Sequence, residues 1–284
     1  MRVLDPVKIS YKNLIAAKWR SFLTMLGIII GVASVIIVMA IGAGAQALIL
    51  NEVQSIGSNL IGVLPGASDE KGPPASVFGV VVTTLKYSDL QALLKNKNVP
   101  NVVAGSGYVT GSATVSYEEN SFASNFQGVS SDLPNVEKVT LKSGRFFSKE
   151  EETNLARVAV LGNNRASGLF PNVDPVGKII TLKNLNFTVI GVMEKKGSSA
   201  FSNPDDTIFV PLLTGQKLLL GINYLNFIRV KIDSEDNLDR AVVNVKSTLR
   251  EQHRIKDPAN DDFTVRSAAQ ALSILTNITN ILKY

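Results

Sequence analysis

The sequence predicts an α+β protein with one N-terminal transmembrane helix, a two-lobed extracytoplasmic domain and a final stalk helix. Three observations predict this fold class. A run of 31 uncharged residues lies between Arg20 and Glu52. Segments 52–117 and 222–265 each show a strand–helix–strand pattern. The stretch between them, 118–221, has a β-rich pattern of its own, which predicts a second lobe inserted into the first.

The uncharged run, 21–51, has the length and composition of a membrane-spanning helix that continues into a stalk. At about 1.5 Å per residue it would extend roughly 46 Å, more than the ~30 Å hydrocarbon core requires. The competing interpretation is a signal peptide, since Ala45-Gln46-Ala47 satisfies a small-x-small cleavage pattern. About 20 residues precede an apolar run much longer than the roughly 7–15 residues of a signal-peptide core, which favours an uncleaved span.

Basic charge is concentrated before this span. Residues 1–20 contain five basic residues and one acidic residue, a net charge of +4, whereas the other 264 residues contain 24 basic and 23 acidic residues, a net charge of +1. The positive-inside rule places the N-terminus in the cytoplasm and the main domain outside a cell membrane. The excess charge is not gathered on the globular part, so nucleic acid is not expected as a partner.

Segment 1–20 is predicted to be a cytoplasmic amphipathic segment, with a helix from Val7 to Trp19 on the membrane surface. Apolar residues recur at helical spacing from Val7 to Trp19. The side chains expected to contact the membrane surface are Lys8, Lys12, Lys18 and Arg20. A simple tether is the alternative, because the apolar stripe is short.

Two pairs of glycines are the candidate functional residues of the span. Gly27 and Gly31 form a GxxxG motif, where another helix could approach closely; general glycine enrichment of membrane helices is the alternative explanation. Gly42 and Gly44, near the outer end, are interpreted as a neck of the stalk. The GxGxxA that they form follows a helix, so it is not a dinucleotide-binding turn.

The globular part is predicted to be a split βαβ unit that is interrupted by an inserted segment. The first half is strand 60–64, a helix opened by a capping box of Ser88 and Gln91, and strand 102–117. The second half is strand 224–232, helix 237–253 and strand 262–265. Together the halves predict a ferredoxin-like lobe. Segment 266–284 is again helical in pattern and is interpreted as a second stalk leading to a transmembrane helix absent from the sequence, so the chain is expected to be truncated.

The inserted segment contains short strands at 158–161, 179–182, 187–193 and 207–210. Ser148 and Glu151 form a capping box that predicts a short helix.

The sequence lacks the residues of several kinds of catalytic and metal site. It contains no cysteine and one histidine, His253, which excludes disulfides, thiol nucleophiles and multi-histidine metal centres. There is no Walker A loop, because Gly177-Lys178 has no upstream glycine at the required spacing and is followed by Ile179. The pairs Asp205-Asp206 and Asp261-Asp262 suit turn positions before strands, where adjacent side chains diverge. We therefore predict a non-enzymatic chain that binds no metal or cofactor.

Several blocks of sequence resemble MacB-type, FtsX-like ABC transporter permeases. The span Leu23 to Ala45, preceded by AKWRS, is similar to the first membrane segment of that family. Blocks similar to its extracytoplasmic domain are GRFFSKEE (144–151), VAVLG (158–162), DPVGK (174–178), FTVIGVMEKKG (187–197), DDTIFVPL (205–212) and LREQHRIKDPANDDFTV (249–265). Two positions depart from the family: Ala43 and Pro171 stand where an acidic residue and a glycine are frequent.

The resemblance implies a permease subunit whose outer domain has a porter-like lobe (52–117 and 222–265) and an inserted lobe. It implies an ABC ATPase that binds ATP, either a separate polypeptide or a domain joined outside this stretch. It also implies a second copy or a related permease as partner, and a periplasmic adaptor as a further candidate. The expected function is coupling of ATP hydrolysis to movement of the outer domain, for export or mechanotransmission. The alternative function is a membrane-anchored binding or regulatory module without transport activity. A secreted hydrolase is a third interpretation, for which the sequence supplies no catalytic constellation.

Overall fold

The computed structural model describes residues 18–56, 59–67, 81–197, 203–267 and 270, with only the backbone described for 45–56. The chain divides into two compact units: an N-terminal helical unit, which includes residues up to Leu48, and a globular unit that begins at Ile49. The predicted α+β class, with one apolar helix before a mixed domain, is confirmed.

The N-terminal helix is α1 (Lys18–Ile56), and its backbone is helical throughout its 39 residues. The helices of the globular unit are α2 (Tyr87–Leu93), α3 (Leu133–Val136), α4 (Lys149–Thr153), α5 (Asn163–Leu169), α6 (Leu212–Thr214) and α7 (Leu238–His253). Its strands are β1 (Leu60–Pro65), β2 (Val102–Tyr117), β3 (Asn120–Val129), β4 (Leu141–Gly144), β5 (Val158–Leu161), β6 (Ile179–Leu182), β7 (Leu185–Met193), β8 (Thr207–Pro211), β9 (Phe227–Ile232) and β10 (Phe263–Ser267).

The first lobe is an antiparallel four-stranded sheet in the order β10-β1-β9-β2. With α2 between β1 and β2, and α7 between β9 and β10, this is the order of a split βαβ fold. Strand β9 alternates buried and half-buried residues, so one face of the sheet is apolar. Helices α2 and α7 cover that face and complete one core, which includes Ile61, Leu90, Val230, Val245 and Val265.

The inserted lobe is a closed ring of six strands. Each strand pairs with the next in the order β2, β3, β8, β5, β7, β6, and β6 returns to β2 through Val115 and Leu182. The ring is a small β-barrel whose interior is filled by side chains. This second core includes Val115, Phe126, Leu161, Phe187 and Ile208.

Strand β2 joins the two lobes. Its first half, from Val102 to Tyr108, pairs with β9 in the split βαβ sheet, whereas Tyr108 to Tyr117 pairs with β3 in the barrel. The strand is 16 residues long, about 53 Å at roughly 3.3 Å per residue, and therefore has the length to serve both lobes.

Three details differ from the sequence predictions. Helix α2 begins at Tyr87 and uses Asp89, whose carboxylate accepts a 2.7 Å hydrogen bond from the Lys86 N–H, so the predicted Ser88 capping box is wrong. Strands β3 and β4 were not predicted. Strand β10 extends to Ser267, into the segment predicted to be stalk, because that residue pairs with Ile61 of β1.

Candidate functional site

Helix α1 supplies one candidate functional region of the chain, a membrane span. In the part of the chain that the structure describes, one helical segment, Lys18–Gly44, is long and apolar enough to cross a membrane, and none of it is buried in the protein. Its 27 residues extend about 40 Å at 1.5 Å per residue, which exceeds the ~30 Å hydrocarbon core. Lys18 and Arg20 lie at its first turn and are exposed.

The small residues predicted to matter in the span are open to a partner. A methyl group added at Gly27 or Gly31 would meet no atom within 4 Å, and the same holds for Gly44. The backbone is helical through Gly42 and Gly44, so their role as a neck stays a prediction. Lys8 and Lys12 lie outside the described residues.

The two chain ends of the globular unit lie side by side. Strand β1 begins four residues after α1 ends, and Ile61 near its start pairs directly with Ser267, the last residue of β10. The N-terminal and C-terminal connections of the domain therefore leave from paired residues of neighbouring antiparallel strands. The sequence predicted both strands but could not show that their outer ends coincide.

The backbone of the inserted lobe is closely packed near α6. A methyl group built on Gly128 of β3 would lie 3.2 Å from the Cα of Gly215, which follows α6. Leu212 of α6 is fully buried in the core of the split βαβ lobe. The inserted lobe thus contributes a side chain to the core of the first lobe.

The two aspartate pairs do not form metal sites. Asp205 is buried and accepts backbone hydrogen bonds of 2.9 Å from Lys196 and Gly197, whereas Asp206 forms an ion pair with Arg165 at 3.3 Å. Asp261 instead binds Arg250 through two hydrogen bonds of 2.7 and 2.8 Å. Among the described residues no group of three or more His, Asp or Glu side chains is arranged to hold a metal ion.

His253 binds two carboxylates from different elements. Its Nδ1 lies 2.6 Å from Asp262 Oδ1, before β10, and its Nε2 lies 3.2 Å from Asp89 Oδ2 in α2. The hydrogen bond to Asp89 is the main cause that raises the pKa of His253 to about 9, with Asp262 contributing in the same direction and burial opposing both. The imidazolium joins α2, α7 and β10. These contacts connect the three elements to one another.

Comparison with known proteins identifies the family. The MacB-like periplasmic core domain family matches residues 21–248. The chain is 34% identical over 282 residues to a macrolide export ATP-binding/permease protein MacB of Chlorobaculum tepidum, and 34% identical over 281 residues to the protein of the same name from Marinobacter nauticus. In both cases the alignment covers 99% of this chain and 42% of the relative, so the chain spans about two fifths of these relatives.

Solved structures show the same fold. The periplasmic region of MacB from Actinobacillus actinomycetemcomitans aligns with a TM-score of 0.66 at 22% identity, covering 81% of this chain and 98% of that one. The extracellular domain of the noncanonic ABC-type transporter YknZ from Gram-positive bacteria aligns with a TM-score of 0.58 at 22% identity, covering 74% and 100% respectively. With a family match over 21–248, the chain belongs to the MacB-like periplasmic core domain family.

Proposed function

We propose that the chain is the permease portion of a MacB/FtsX-like ABC transporter, which couples ATP binding and hydrolysis on a separate cytoplasmic ATPase to movement of its extracytoplasmic domain. The observation that carries the proposal is the pairing of Ile61 with Ser267. It brings the connection from α1 and the connection to the following segment to one edge of the domain. Two connections that displace together at one edge would move the domain with them, because inter-strand hydrogen bonds join the edge strands to the rest of the sheet.

The family and the apolar helix support the remaining parts of this proposal. The similar MacB proteins are named as macrolide export ATP-binding/permease proteins. A macrolide is therefore the first cargo to test. The N-terminus would be cytoplasmic, with Lys8, Lys12, Lys18 and Arg20 at the lipid surface. This chain would bind no cofactor itself, ATP would bind the partner ATPase, and an adaptor outside the membrane would be a further partner.

A second copy of the chain, or a related permease, would pack on the Gly27–Gly31 face of α1. Both positions are open in the structure, and glycines four residues apart allow helix backbones to approach closely in lipid. Gly31→Leu would fill that groove and weaken association, while Ile29→Leu, on an exposed residue between the glycines, serves as the control. Cross-linking in membranes measures the difference. Equal dimer yields for both variants would refute the packing role.

The coupling is tested with proline in α1 of the full-length protein reconstituted with its ATPase. Ala47 lies inside α1, where proline removes a backbone hydrogen bond and kinks the helix. We expect Ala47→Pro to retain ATP turnover and lose ATP-driven macrolide transport into inverted vesicles, whereas Ala47→Leu retains both. Unchanged transport by Ala47→Pro would refute coupling through α1. Failure to form a stable complex with any nucleotide-binding subunit would instead favour the anchored binding module.

A further inference from the structure

Two glutamates of the inserted lobe bind the split βαβ lobe on opposite faces of its sheet. Glu152 of α4 is fully buried, and Glu137 follows α3 with its side chain 16% exposed. Buried carboxylates cost free energy unless charged or polar donors satisfy them. The donors that satisfy these two come in part from the other lobe.

Glu152 makes its contact on the face covered by α2 and α7. Its Oε1 accepts a 3.1 Å hydrogen bond from the hydroxyl of Tyr87 in α2. Its Oε2 accepts hydrogen bonds from the N–H and hydroxyl of Ser131, at 2.9 and 2.8 Å, and from Lys149 Nζ at 3.2 Å. Lys149 also donates to the Tyr87 hydroxyl at 2.8 Å. Of these residues, Tyr87 alone belongs to the split βαβ lobe, so the two hydrogen bonds of its hydroxyl, to Glu152 and from Lys149, cross between the lobes.

Glu137 makes the corresponding contact on the other face. It forms an ion pair with Arg229 of β9 and accepts a hydrogen bond from the Tyr108 hydroxyl. The neighbours of Arg229 in β9, Ile228 and Val230, point into the core beneath the helices, so Arg229 projects from the opposite face. The Arg229 guanidinium also lies 5.4 Å from the ring centre of Tyr108, the residue of β2 at which the two lobes meet.

We propose that these two contacts, the Tyr87–Glu152 clamp and the Arg229–Glu137 clamp, lock the two lobes into one rigid body. Besides the two clamps the lobes share strand β2 and apolar contacts such as that of Leu212. A single strand would by itself allow rotation about its axis, and apolar contacts are not directional. A rotation of the barrel toward one face of the split βαβ sheet would open the clamp on the other face. The two clamps together therefore resist rotation in both directions. Both clamps lie within the globular unit, and they hold the lobes together whether or not the chain is coupled to an ATPase.

The test is a distance measurement between spin labels in the complete chain. The sequence contains no cysteine, so Glu150→Cys in α4 and Ser247→Cys in α7, both at exposed positions, give one label on each lobe. The wild-type background should give a single narrow distance distribution. Tyr87→Phe removes the two hydrogen bonds that the Tyr87 hydroxyl makes between the lobes, and Glu152→Gln removes the charge of the carboxylate. Both should add a population at longer distance.

Glu137→Gln opens the clamp on the opposite face and should shift the distribution to shorter distance. Tyr117→Phe and Glu151→Gln are matched controls, because both residues contact partners within the inserted lobe, and both should leave the distribution unchanged. Circular dichroism confirms that each variant is folded.

Folded Tyr87→Phe and Glu152→Gln proteins with wild-type distributions would overturn the proposal. A shift of Glu137→Gln to longer distance would also overturn it, since the clamps would then not oppose each other. Neither outcome bears on ATP coupling, which Ala47→Pro tests separately.

Discussion

Raising the pH above neutral should destabilise the globular unit through His253. Its imidazolium donates to Asp262 and Asp89 through both ring nitrogens, which only the doubly protonated ring can do. The pKa of His253 is raised from 6.5 to about 9 in the folded protein. Because this pKa is raised on folding, the stabilisation of the folded protein by His253 is fully present below pH 6.5 and is lost as the pH rises through about 9.

The size of this loss of stability follows from the pKa shift of His253 and from the solvent exposure of its carboxylate partners. Each pKa unit corresponds to about 1.36 kcal/mol, so the rise from 6.5 to about 9 sets an upper limit near 3 kcal/mol. The His253 side chain is 9% exposed, but that of Asp262 is 38% exposed, and solvent screening reduces the pair to a total of about 2 kcal/mol. We expect the free energy of unfolding to fall by about this amount between pH 6.5 and 9.5.

Urea unfolding followed by far-UV circular dichroism measures this change. The single tryptophan, Trp19, lies in α1 and does not report on the globular unit. His253→Gln supplies the reference, because glutamine does not titrate, and the difference between the two proteins removes the contribution of lysines and tyrosines. Parallel pH profiles for the wild type and His253→Gln between pH 6.5 and 9.5 would refute the role assigned to the imidazolium.

Three further predictions concern the inserted lobe. Gly162→Ala should destabilise it by several kcal/mol and lower the unfolding midpoint in urea, because the new methyl group would lie 2.2 Å from a backbone oxygen; a midpoint equal to the wild type would contradict this. Ser148→Ala should cost about 1 kcal/mol in the same assay, because the Ser148 hydroxyl caps α4, whereas Ser148→Asp should retain most of the stability. The Arg145 guanidinium lowers the pKa of Glu151 to about 2, so this ion pair stabilises the fold above pH 4.5 and the contribution disappears as the pH falls toward 2. Because Arg145 is 58% exposed, the loss should not exceed about 1 kcal/mol, and unfolding curves of Arg145→Gln should show a shallower acid dependence than the wild type.

The sequence predicted those parts of the fold that a local pattern of residues determines. The uncharged run predicted α1, and strands β2, β5 and β6 have the predicted bounds because apolar or β-branched residues dominate them. Strand β3, NSFASNFQGV, is largely polar and was missed. It is a strand because its backbone is paired on both sides, with β2 and with β8, a tertiary effect that overrides weak local propensity.

The contacts of the candidate site depend on residues far apart in the chain. His253 meets Asp89 across 164 positions, and Tyr87 meets Glu152 across 65. The pattern around His253 indicated a polar residue at a helix end, which is correct for its position in α7 but gives no information on its partners. The sequence partly indicated the position of Glu152. The Ser148 capping box located α4, and Glu152, the residue after Glu151, lies in that helix.

The order of the strands determines how a displacement would pass through the domain. Strands β10 and β1 receive the two chain connections, whereas the barrel grows from β2, on the opposite side of the sheet. A movement applied at Ile61 and Ser267 must cross β9 to reach β2, through backbone ladders whose hydrogen bonds are perpendicular to the strands. Those ladders hold neighbouring strands at a fixed spacing, but the rotation between adjacent strands varies from about −10 to −35° among sheets, so the ladders do not fix the twist. The Tyr87–Glu152 and Arg229–Glu137 clamps lie where that twist would otherwise accumulate, between the sheet and the barrel. If the outer domain is moved through its two connections, the clamps would therefore transmit a rotation as well as a translation from the sheet to the barrel.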